Sequence, residues 1–540
     1  MYGRVQRVSI AALTKNYPPR PGDRPTVGFS LLDTASFVSY FLVIAAVAVI
    51  AGRREREAAD YFLAGRNLPW WVIGISLIAS NISTEHFVGM AGSGVDFGLA
   101  IASYEWMAAI TLVIVARWFL PKFLAMGITT MPEYLENRFD VRSRSFLAFY
   151  MILAYVFVAM ATVLFSGALA LKTIFELPIG WGIAILAVFA GAYTAYGGLK
   201  AVVWSDVIQG AMLLFGGALT TVLGLRAIGG WDVLMAEAGD KFHTVLPLDH
   251  PELPWFAIFF GGLWIANLFY WGANQFITQR TLAARDVKHG LYGAVFAAYI
   301  KLVVPFIIVI PGIIAWVLYS GELERSDMAY PLLIERLLPA GLTGLIFAAL
   351  LAAIMSSLDS MLNSAATIFT IDIYNRHHRQ EASQKRLIAV GRMSTVAFLV
   401  IAAAWAPALL SFERVFSYIQ EFWGIITPGV AVVFLGGLFW DRATAGAAAW
   451  VMGLTLPVTI GVKLLTPGMA FLNQMWIAGL SLVALLVIIS RLSPETEKQA
   501  AVSEVREEAA AVALVAQDRL FNVLSLGVVV LTVALYVVFF

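Results

Sequence analysis

The chain has no cysteine, which excludes disulfides, thiolate metal sites and cysteine nucleophiles together. It also has few charges, because only 13% of its 540 residues are Asp, Glu, Lys or Arg, whereas a soluble globular chain carries about 25%. The six histidines form no zinc-protease motif, and no P-loop or serine-hydrolase motif stands in a suitable context. An enzyme is therefore not expected. The net charge of +1 gives no basis for a nucleic-acid partner.

What the chain has instead is apolar sequence, which makes up 60% of it. Apolar windows of about 20 residues, long enough to cross a lipid bilayer as helices, recur along the whole chain. The pattern predicts an all-α, polytopic membrane protein with about fourteen transmembrane helices. The windows lie near 31–51, 69–93, 98–118, 144–171, 178–195, 203–225, 254–279, 290–319, 342–373, 388–408, 414–438, 444–464, 472–490 and 519–540.

The segments between these windows alternate in charge. One set holds 23 basic residues and the alternate set holds seven, and the positive-inside rule places the richer set in the cytoplasm. We therefore expect a multi-pass protein of the cell (inner) membrane with both termini outside. The N-terminal tail, 1–30, disagrees because it carries five basic residues on the predicted outer side. It is not read as a signal peptide, because 31–51 has the length of a full span and no small-residue cleavage site follows.

The span 342–373 carries a stripe of small polar groups. Ser356, Ser360, Asn363 and Ser364 follow the spacing i, i+4, i+7, i+8, so they share one helical face, and Ser357 and Asp359 lie beside them. Lipid cannot solvate hydroxyls and a carboxylate, so this face must meet protein, water or an ion. Oxygen ligands without nitrogen or sulfur suit a hard cation.

Two spans are interrupted by polar residues in mid-membrane, at 75–90 (ISLIASNISTEHFVGM) and at 264–275 (WIANLFYWGANQ). Unwound backbone at membrane depth is tolerated only where it lines a cavity. A pair of interrupted helices in two halves of a chain indicates a transporter built from inverted repeats. The alternative for either span is a helix kinked for packing.

Glu105 and Lys301 each lie within an apolar span, where a charge costs about 2.5–3.5 kcal/mol even on insertion scales. They could form a structural ion pair between helices. They could also form, with Gln420, a pocket of near-zero net charge that suits a neutral, hydroxyl-rich ligand. Tyr104, Phe269, Tyr270, Trp271 and Phe416 could offer flat faces to a sugar ring, although spacing alone favours ordinary aromatic packing.

The chain resembles the sodium/solute symporter family from about 31 to 490, and within it the sodium/sugar cotransporters. The resemblance is carried by ISLIASNIS, GLAIASYEW, YGGLKAVVWSDVIQ, LFYWGANQFITQRTLAAR, FAAYIKLVVPF, SSLDSMLNSAATIFTIDIY and YIQEFWG. It implies the leucine-transporter fold, with inverted repeats of five helices each at about 69–225 and 254–438. The flanking parts are the tail 1–30, a first helix at 31–51, further helices at 444–490, a charged linker at 491–518 and a last helix at 519–540.

The resemblance also implies the positions of two binding sites. The sodium site would use carbonyls of Ala79, Ile82 and Ala353 with hydroxyls of Ser356 and Ser357. The sugar site would use Asn81, His86, Glu105, Asn267, Tyr270, Trp271, Lys301 and Gln420. The outer gate would be formed by Met90, Tyr104 and Phe416.

Three positions depart from the pattern of the galactose-transporting members. His86 replaces Gln, as in the animal glucose-transporting members, while Ala108 replaces Ser and Ala159 replaces Asn. Losing polar partners implies a different preference at those positions of the sugar ring, because an unpaired buried hydroxyl costs about 1–3 kcal/mol. A possible second ion site would use Asp206, Asp359 and Ser360, where Asp359 stands in place of a hydroxyl or alanine and could instead be protonated.

The expected function is sodium-coupled import of a neutral sugar of glucose or galactose type by alternating access, with sodium as the coupling ion and no cofactor. The alternatives are a symporter for myo-inositol or another polyol and, in a different class, a membrane sensor that keeps the transporter fold.

Overall fold

The computed structural model describes residues 30–52, 57–83, 85–175, 177–339, 341–378, 382–411, 415–493, 514 and 516–540. The predicted tail up to residue 29 and the linker from 494 to 513 lie outside these residues. The described part is helical, and its only strand-like pairing is an isolated bridge between Leu68 and Ala284.

The α-helices of this part follow one another with short connections. In chain order they are α1 Leu31–Gly52, α2 Ala58–Leu63, α3 Trp70–Asn81, α4 Ala91–Phe97, α5 Ser103–Ile114, α6 Leu120–Ala125, α7 Met131–Arg138, α8 Val141–Leu153, α9 Ala161–Phe175, α10 Ile179–Ile228, α11 Trp231–Ala238, α12 Trp255–Phe259, α13 Gly262–Gly272, α14 Gln275–Leu282, α15 Val287–Tyr319, α16 Ala329–Leu337, α17 Leu342–Ile368, α18 Gln384–Trp405, α19 Val415–Phe439, α20 Ala445–Leu465, α21 Phe471–Leu492 and α22 Arg519–Val538.

Twelve helical segments of the described residues are long and apolar enough to cross a membrane, and two shorter apolar helices, Trp70–Asn81 and Ile179–Ala192, accompany them. This agrees with the fourteen windows in the sequence. The prediction of an all-α, polytopic membrane protein is therefore confirmed. The bounds given above for the two inverted repeats stay a prediction.

Both interrupted spans are broken where the sequence predicts. Helix α3 ends at Asn81, Ile82 is extended (φ −76°, ψ 111°), and a π-helical turn, Glu85–Met90, leads into α4. Helix α13 ends at Gly272, and Asn274 is extended (φ −82°, ψ 118°) before α14 begins. At each break, backbone N–H and C=O groups are left without helical hydrogen bonds, at the same depth in the membrane as the polar side chains of these spans.

A third change of direction lies within α10, which is 50 residues long. A straight helix of that length would span about 75 Å, far more than a bilayer. Gly198, with φ 48°, breaks it into the two spans that the sequence predicts. A Cβ at Gly198 would lie 2.5 Å from the carbonyl oxygen of Tyr61, so both the left-handed backbone and the close approach require glycine.

Helix α17 lies at the centre of the molecule. Every residue from Ile346 to Ile368 is buried, including the polar stripe. It packs against α10, α1 and α18, and the first break, at the end of α3, lies beside it. The polar groups of α17 therefore face protein rather than lipid.

A cluster of charged groups fixes the far end of this helix, where α17 continues into the π-helical stretch Phe369–His378. Arg144 Nη1 lies 2.5 Å from Glu136 Oε2, and Arg144 Nη2 lies 2.7 Å from Asp372 Oδ1. Arg376 Nη2 lies 2.7 Å from Glu136 Oε1, and Thr130 Oγ1 donates to Asp372 at 2.8 Å. The cluster joins α7, α8 and the end of α17.

Burial opposes ionisation of Glu136, but hydrogen bonds from Arg376 and Arg144 outweigh it and hold the pKa of this carboxyl at about 2. A pKa below the ordinary glutamate value of about 4.3 means that the ionised group stabilises the fold above that pH. The contribution is then lost as the pH falls through about 2.

We expect Glu136→Gln to lower the free energy of unfolding by about 1.5–3 kcal/mol at pH 7, because it removes charge-assisted hydrogen bonds to two arginines. The matched control is Arg142→Gln, whose side chain is 62% exposed in its ion pair with Asp140 and should cost at most about 1 kcal/mol. Unfolding of the purified protein in detergent, followed against pH, measures both. Equal losses in the two variants, or a Glu136→Gln loss that is as large at pH 2 as at pH 7, would contradict the prediction.

Candidate functional site

The first break lies against the serines of α17. Ser357 Oγ donates to the carbonyl oxygen of Ser80 at 3.1 Å, which joins α17 directly to the last turn of α3. All five residues of the predicted sodium site are buried; they are Ala79, Ile82, Ala353, Ser356 and Ser357. The structure thus brings the two elements of this site together, and cation binding by these residues stays a prediction.

Beside these serines lies a fully buried ion pair. Asp206 Oδ2 accepts from Arg280 Nη2 at 3.0 Å and from Ser76 Oγ at 2.5 Å, and neither charged side chain is exposed at all. Ser356 Oγ donates to the other oxygen, Asp206 Oδ1, at 2.5 Å. Arg280 Nε also donates to Ser76 Oγ at 2.7 Å, and Arg280 Nη2 donates to Ser360 Oγ. We call these residues, with Ser80, the Asp206 cluster.

The sequence analysis assigns no role to Arg280, which follows the apolar window 254–279 and is one of the 23 basic residues of the predicted connecting segments. The structure corrects this, because Arg280 lies inside α14 and is completely buried. A signal was available in the position of Asp206 within a span, since a buried carboxylate requires a cation or several donors.

The residues of the possible second ion site are divided in the structure. Asp206 and Ser360 meet at Arg280, whereas Asp359 Oδ1 accepts a hydrogen bond from Thr194 Oγ1 at 2.8 Å. Thr194 precedes the bend of α10 at Gly198 and Asp206 follows it. Joint binding of a cation by these three residues stays a prediction.

Glu105 and Lys301, which also lie within apolar spans, meet as a pair. Lys301 Nζ donates to Glu105 Oε2 and to Asn81 Oδ1, and both charged side chains are buried. Asn81 Nδ2 in turn donates to Tyr270 OH at 2.9 Å. His86 Nε2 lies 3.5 Å from Glu105 Oε1. The chain of contacts joins both broken helices with α5 and α15, and it has no net charge when the histidine is neutral.

Aromatic rings and an unpartnered amide flank this pair. Lys301 Nζ lies 5.2 Å from the centre of the Trp271 ring, and the rings of Tyr270 and Trp271 are in edge contact at 5.2 Å. Asn267 lies one turn earlier on α13 and is 7% exposed, and its Nδ2 has no hydrogen-bond partner among the described residues. A buried amide donor without a partner is uncommon and suits a site that receives a polar ligand.

Of the predicted outer gate, Met90 is buried and Tyr104 is half-buried. Phe416 and Gln420 belong to α19, but the placement of their side chains lies outside the described part of the structure. Ala108 and Ala159, which depart from the galactose pattern, are both buried.

A cavity of about 250 Å³ opens next to the first break. Its lining includes Glu85, Val88 and Gly89 from the π-helical turn, together with Phe165 and Met328. The turn that follows the unwound segment therefore borders open space on one side. An unwound segment beside a cavity is the arrangement in which irregular backbone is tolerated at membrane depth.

Comparison with known proteins places these features in a family. The model of the "Sodium:solute symporter family" matches residues 61–454. The sodium/glucose cotransporter of Vibrio parahaemolyticus is 42% identical over an alignment 545 residues long, which covers 95% of this chain and 99% of that protein. The human sodium/myo-inositol cotransporter 2 is 35% identical over an alignment 473 residues long, which covers 80% of this chain and 70% of that protein.

The solved structure of a substrate-bound, outward-open, Na⁺-coupled sialic acid symporter is similar as well. It is 25% identical, with a TM-score of 0.79, and the match covers 86% of this chain and 98% of that one. The expected leucine-transporter fold is thereby confirmed. The broken helices, the central helix α17 and the family match over residues 61–454 agree, and the chain belongs to the sodium:solute symporter family.

Proposed function

We propose that this protein is a sodium-coupled symporter that imports a neutral sugar, of glucose or galactose type, by alternating access. The observation that carries the proposal is the buried Glu105–Lys301 pair, linked to Asn81 and Tyr270 at the two broken helices. Its members offer both donors and acceptors without net charge. Such a set suits hydroxyl groups better than a carboxylate or an amine, either of which would add an unbalanced charge to a buried site.

The coupling ion would bind beside this pocket. The Ser80 carbonyl and Ser357 hydroxyl already join α3 to α17, and the buried carbonyls of Ala79 and Ile82 lie at the same helix end. A sodium ion held by both helices would fix their spacing and so favour closure of the outer half of the site around a sugar. The sugar and the ion would then leave on the inner side.

The driving force is sufficient for concentrative import. One sodium ion that crosses a potential of about 100 mV releases about 2.3 kcal/mol, and a tenfold concentration gradient adds about 1.4 kcal/mol. Together they would support roughly 500-fold accumulation of a neutral solute with one-to-one coupling.

For the topology, we propose that the basic connecting segments lie on the cytoplasmic side of the cell (inner) membrane. The alternation of 23 against seven basic residues supports this orientation. The twelve long spans with the two shorter apolar helices make an even number of crossings. Both termini would then lie outside.

A polyol such as myo-inositol is the second candidate substrate. A net-neutral set of donors and acceptors does not distinguish a ring of carbon atoms from a sugar ring. A relative named sodium/myo-inositol cotransporter 2 is 35% identical over most of this chain. Counterflow of labelled sugars and polyols in proteoliposomes, with sodium or potassium, ranks the two classes. Equal uptake in both salts, or preference for an organic acid, would overturn the proposed function.

The first site prediction concerns Ser356 and Ser357 of the proposed sodium site, which we call the sodium serines. Ser357→Ala should raise the sodium concentration for half-maximal uptake at least tenfold, because it removes one oxygen ligand from a small coordination shell. Uptake at saturating sodium should fall much less.

The matched control is Ser394→Ala, which removes a buried hydroxyl that donates within its own helix, α18. Its sodium dependence should match that of the wild type. A Ser357→Ala protein with wild-type sodium dependence would contradict the sodium site.

The second site prediction concerns the unpartnered amide. Asn267→Leu should raise the KM for the sugar about tenfold, because one hydrogen bond to a hydroxyl is lost. The thermal unfolding midpoint should not fall, because Asn267 Nδ2 has no hydrogen-bond partner among the described residues that the substitution could leave unpaired.

Gln209→Met is the control, because Gln209 is also buried and both polar atoms of its side chain have no partner among the described residues. The KM of this variant should be unchanged. A loss of stability in Asn267→Leu with an unchanged KM would indicate a packing role instead.

A further inference from the structure

The inner half of the second broken helix, α14, has polar side chains in the protein interior. Gln275, Gln279 and Arg280 are each completely buried. Only two residues separate α14 from the end of α13, which carries Asn267, Tyr270 and Trp271. A displacement of α14 is therefore carried directly to the proposed sugar site.

Gln279 bonds to the helix of the sodium serines. Ser364 Oγ donates to Gln279 Oε1 at 2.7 Å, and Gln279 Nε2 donates to Thr367 Oγ1 at 3.1 Å. Gln279 Nε2 also donates to the carbonyl oxygen of Phe62 at 2.6 Å. Ser364 lies two helical turns beyond Ser357 on α17, so the amide touches the polar stripe of that helix.

The side chain next to Gln279, that of Arg280, joins α14 to α3. Arg280 Nε donates to Ser76 Oγ at 2.7 Å, and Ser76 lies one turn before Ala79 and Ser80. Helix α14 therefore contacts both of the helices between which sodium would bind. It can keep its bonds to α3 and α17 together only while the spacing of those two helices is maintained.

We infer that Gln279 is a positioning residue that couples sodium binding to sugar binding. Sodium held between α3 and α17 sets their spacing, and the amide of Gln279 holds α14 to α17 at that spacing. Helix α14 in turn positions the adjoining end of α13, whose Tyr270 and Trp271 would contact the sugar. The inference rests on the proposed function. Gln279 contacts neither sodium nor sugar in this scheme, and it acts through Ser364 and Thr367.

The consequence is a change in coupling rather than in either affinity alone. Coupling is the ratio of the sugar Kd without sodium to the Kd with sodium, and linkage requires sugar to tighten sodium by the same factor. Gln279→Met keeps the size of the side chain and removes the amide. We expect it to reduce the ratio roughly tenfold, within the usual range of coupling between sites. The Kd in the absence of sodium should stay within about twofold of the wild type.

The experiment uses the full chain in detergent and measures equilibrium binding of labelled D-glucose and of labelled D-galactose in sodium chloride and in potassium chloride. The control on the same helix is Thr278→Val, since the hydroxyl of Thr278 is buried and donates to Asn274 O within this segment. Its coupling ratio should match that of the wild type. Ser364→Ala removes the donor on the α17 side and should reduce the ratio as well.

The double variant, Gln279→Met with Ser364→Ala, closes a cycle. If the amide acts through this hydroxyl, the double variant should lose little more coupling than Gln279→Met alone. Should Gln279→Met fail to fold, the ratio in Ser364→Ala decides the question, because that change removes only one hydroxyl.

Three results would overturn the inference. Parallel weakening of the Kd in both salts, with an unchanged ratio, would mean that Gln279 only supports packing, and so would an unchanged Ser364→Ala ratio. A wild-type protein that binds both D-glucose and D-galactose equally in the two salts, or binds neither sugar, would instead overturn the proposed function and this inference with it.

Discussion

The arrangement of this protein depends on the requirement that charge buried in a membrane be matched by charge of the opposite sign. Asp206 and Arg280 are both fully buried, and an isolated charge of either kind would be prohibitively costly at that depth. Their pairing also satisfies the hydroxyls of Ser76, Ser356 and Ser360. Through these groups one ion pair holds α3, α10, α14 and α17 in fixed relation. Ser356, Ser357 and the first break are held in place by that arrangement.

The same requirement explains the second charged pair. Glu105 and Lys301 come from α5 and α15, and they meet beside the end of α3, where Asn81 accepts from the lysine. Two pairs of opposite charge thus bond to the last turns of α3, one through Ser76 and Ser80 and the other through Asn81. One pair is completely enclosed by serine hydroxyls and the other is flanked by aromatic rings and a half-buried histidine. The enclosed pair is bonded on all its polar sides by protein groups and serves the fold, and the flanked pair is the one that we propose to contact the hydroxyl groups of a sugar.

The sequence predicts much of this fold because lipid leaves few alternatives. The polar stripe of α17 and the interruptions after Asn81 and Gly272 stand out against apolar surroundings, and all three lie where they were expected. Arg280 was missed because it follows the apolar window, where a cation is ordinarily a loop residue. Only the folded structure brings it to a carboxylate 74 residues earlier in the chain. Asp359 lies one turn from Ser356, but it accepts a hydrogen bond from Thr194, and the bend of α10 at Gly198 separates Thr194 from Asp206. Helical spacing alone does not predict whether Asp359 contacts Thr194 or Asp206.

The mutual neutralisation of Glu105 and Lys301 has an electrical consequence. A pocket without net charge that carries a sugar without net charge contributes nothing to the charge displaced when the loaded protein changes orientation. The charge moved by the loaded carrier then comes from the bound cations and from whatever fixed groups shift in the field. A transporter built this way would report its ion stoichiometry as a ratio of steady current to solute flux, and that ratio would be the same for every neutral solute that it accepts.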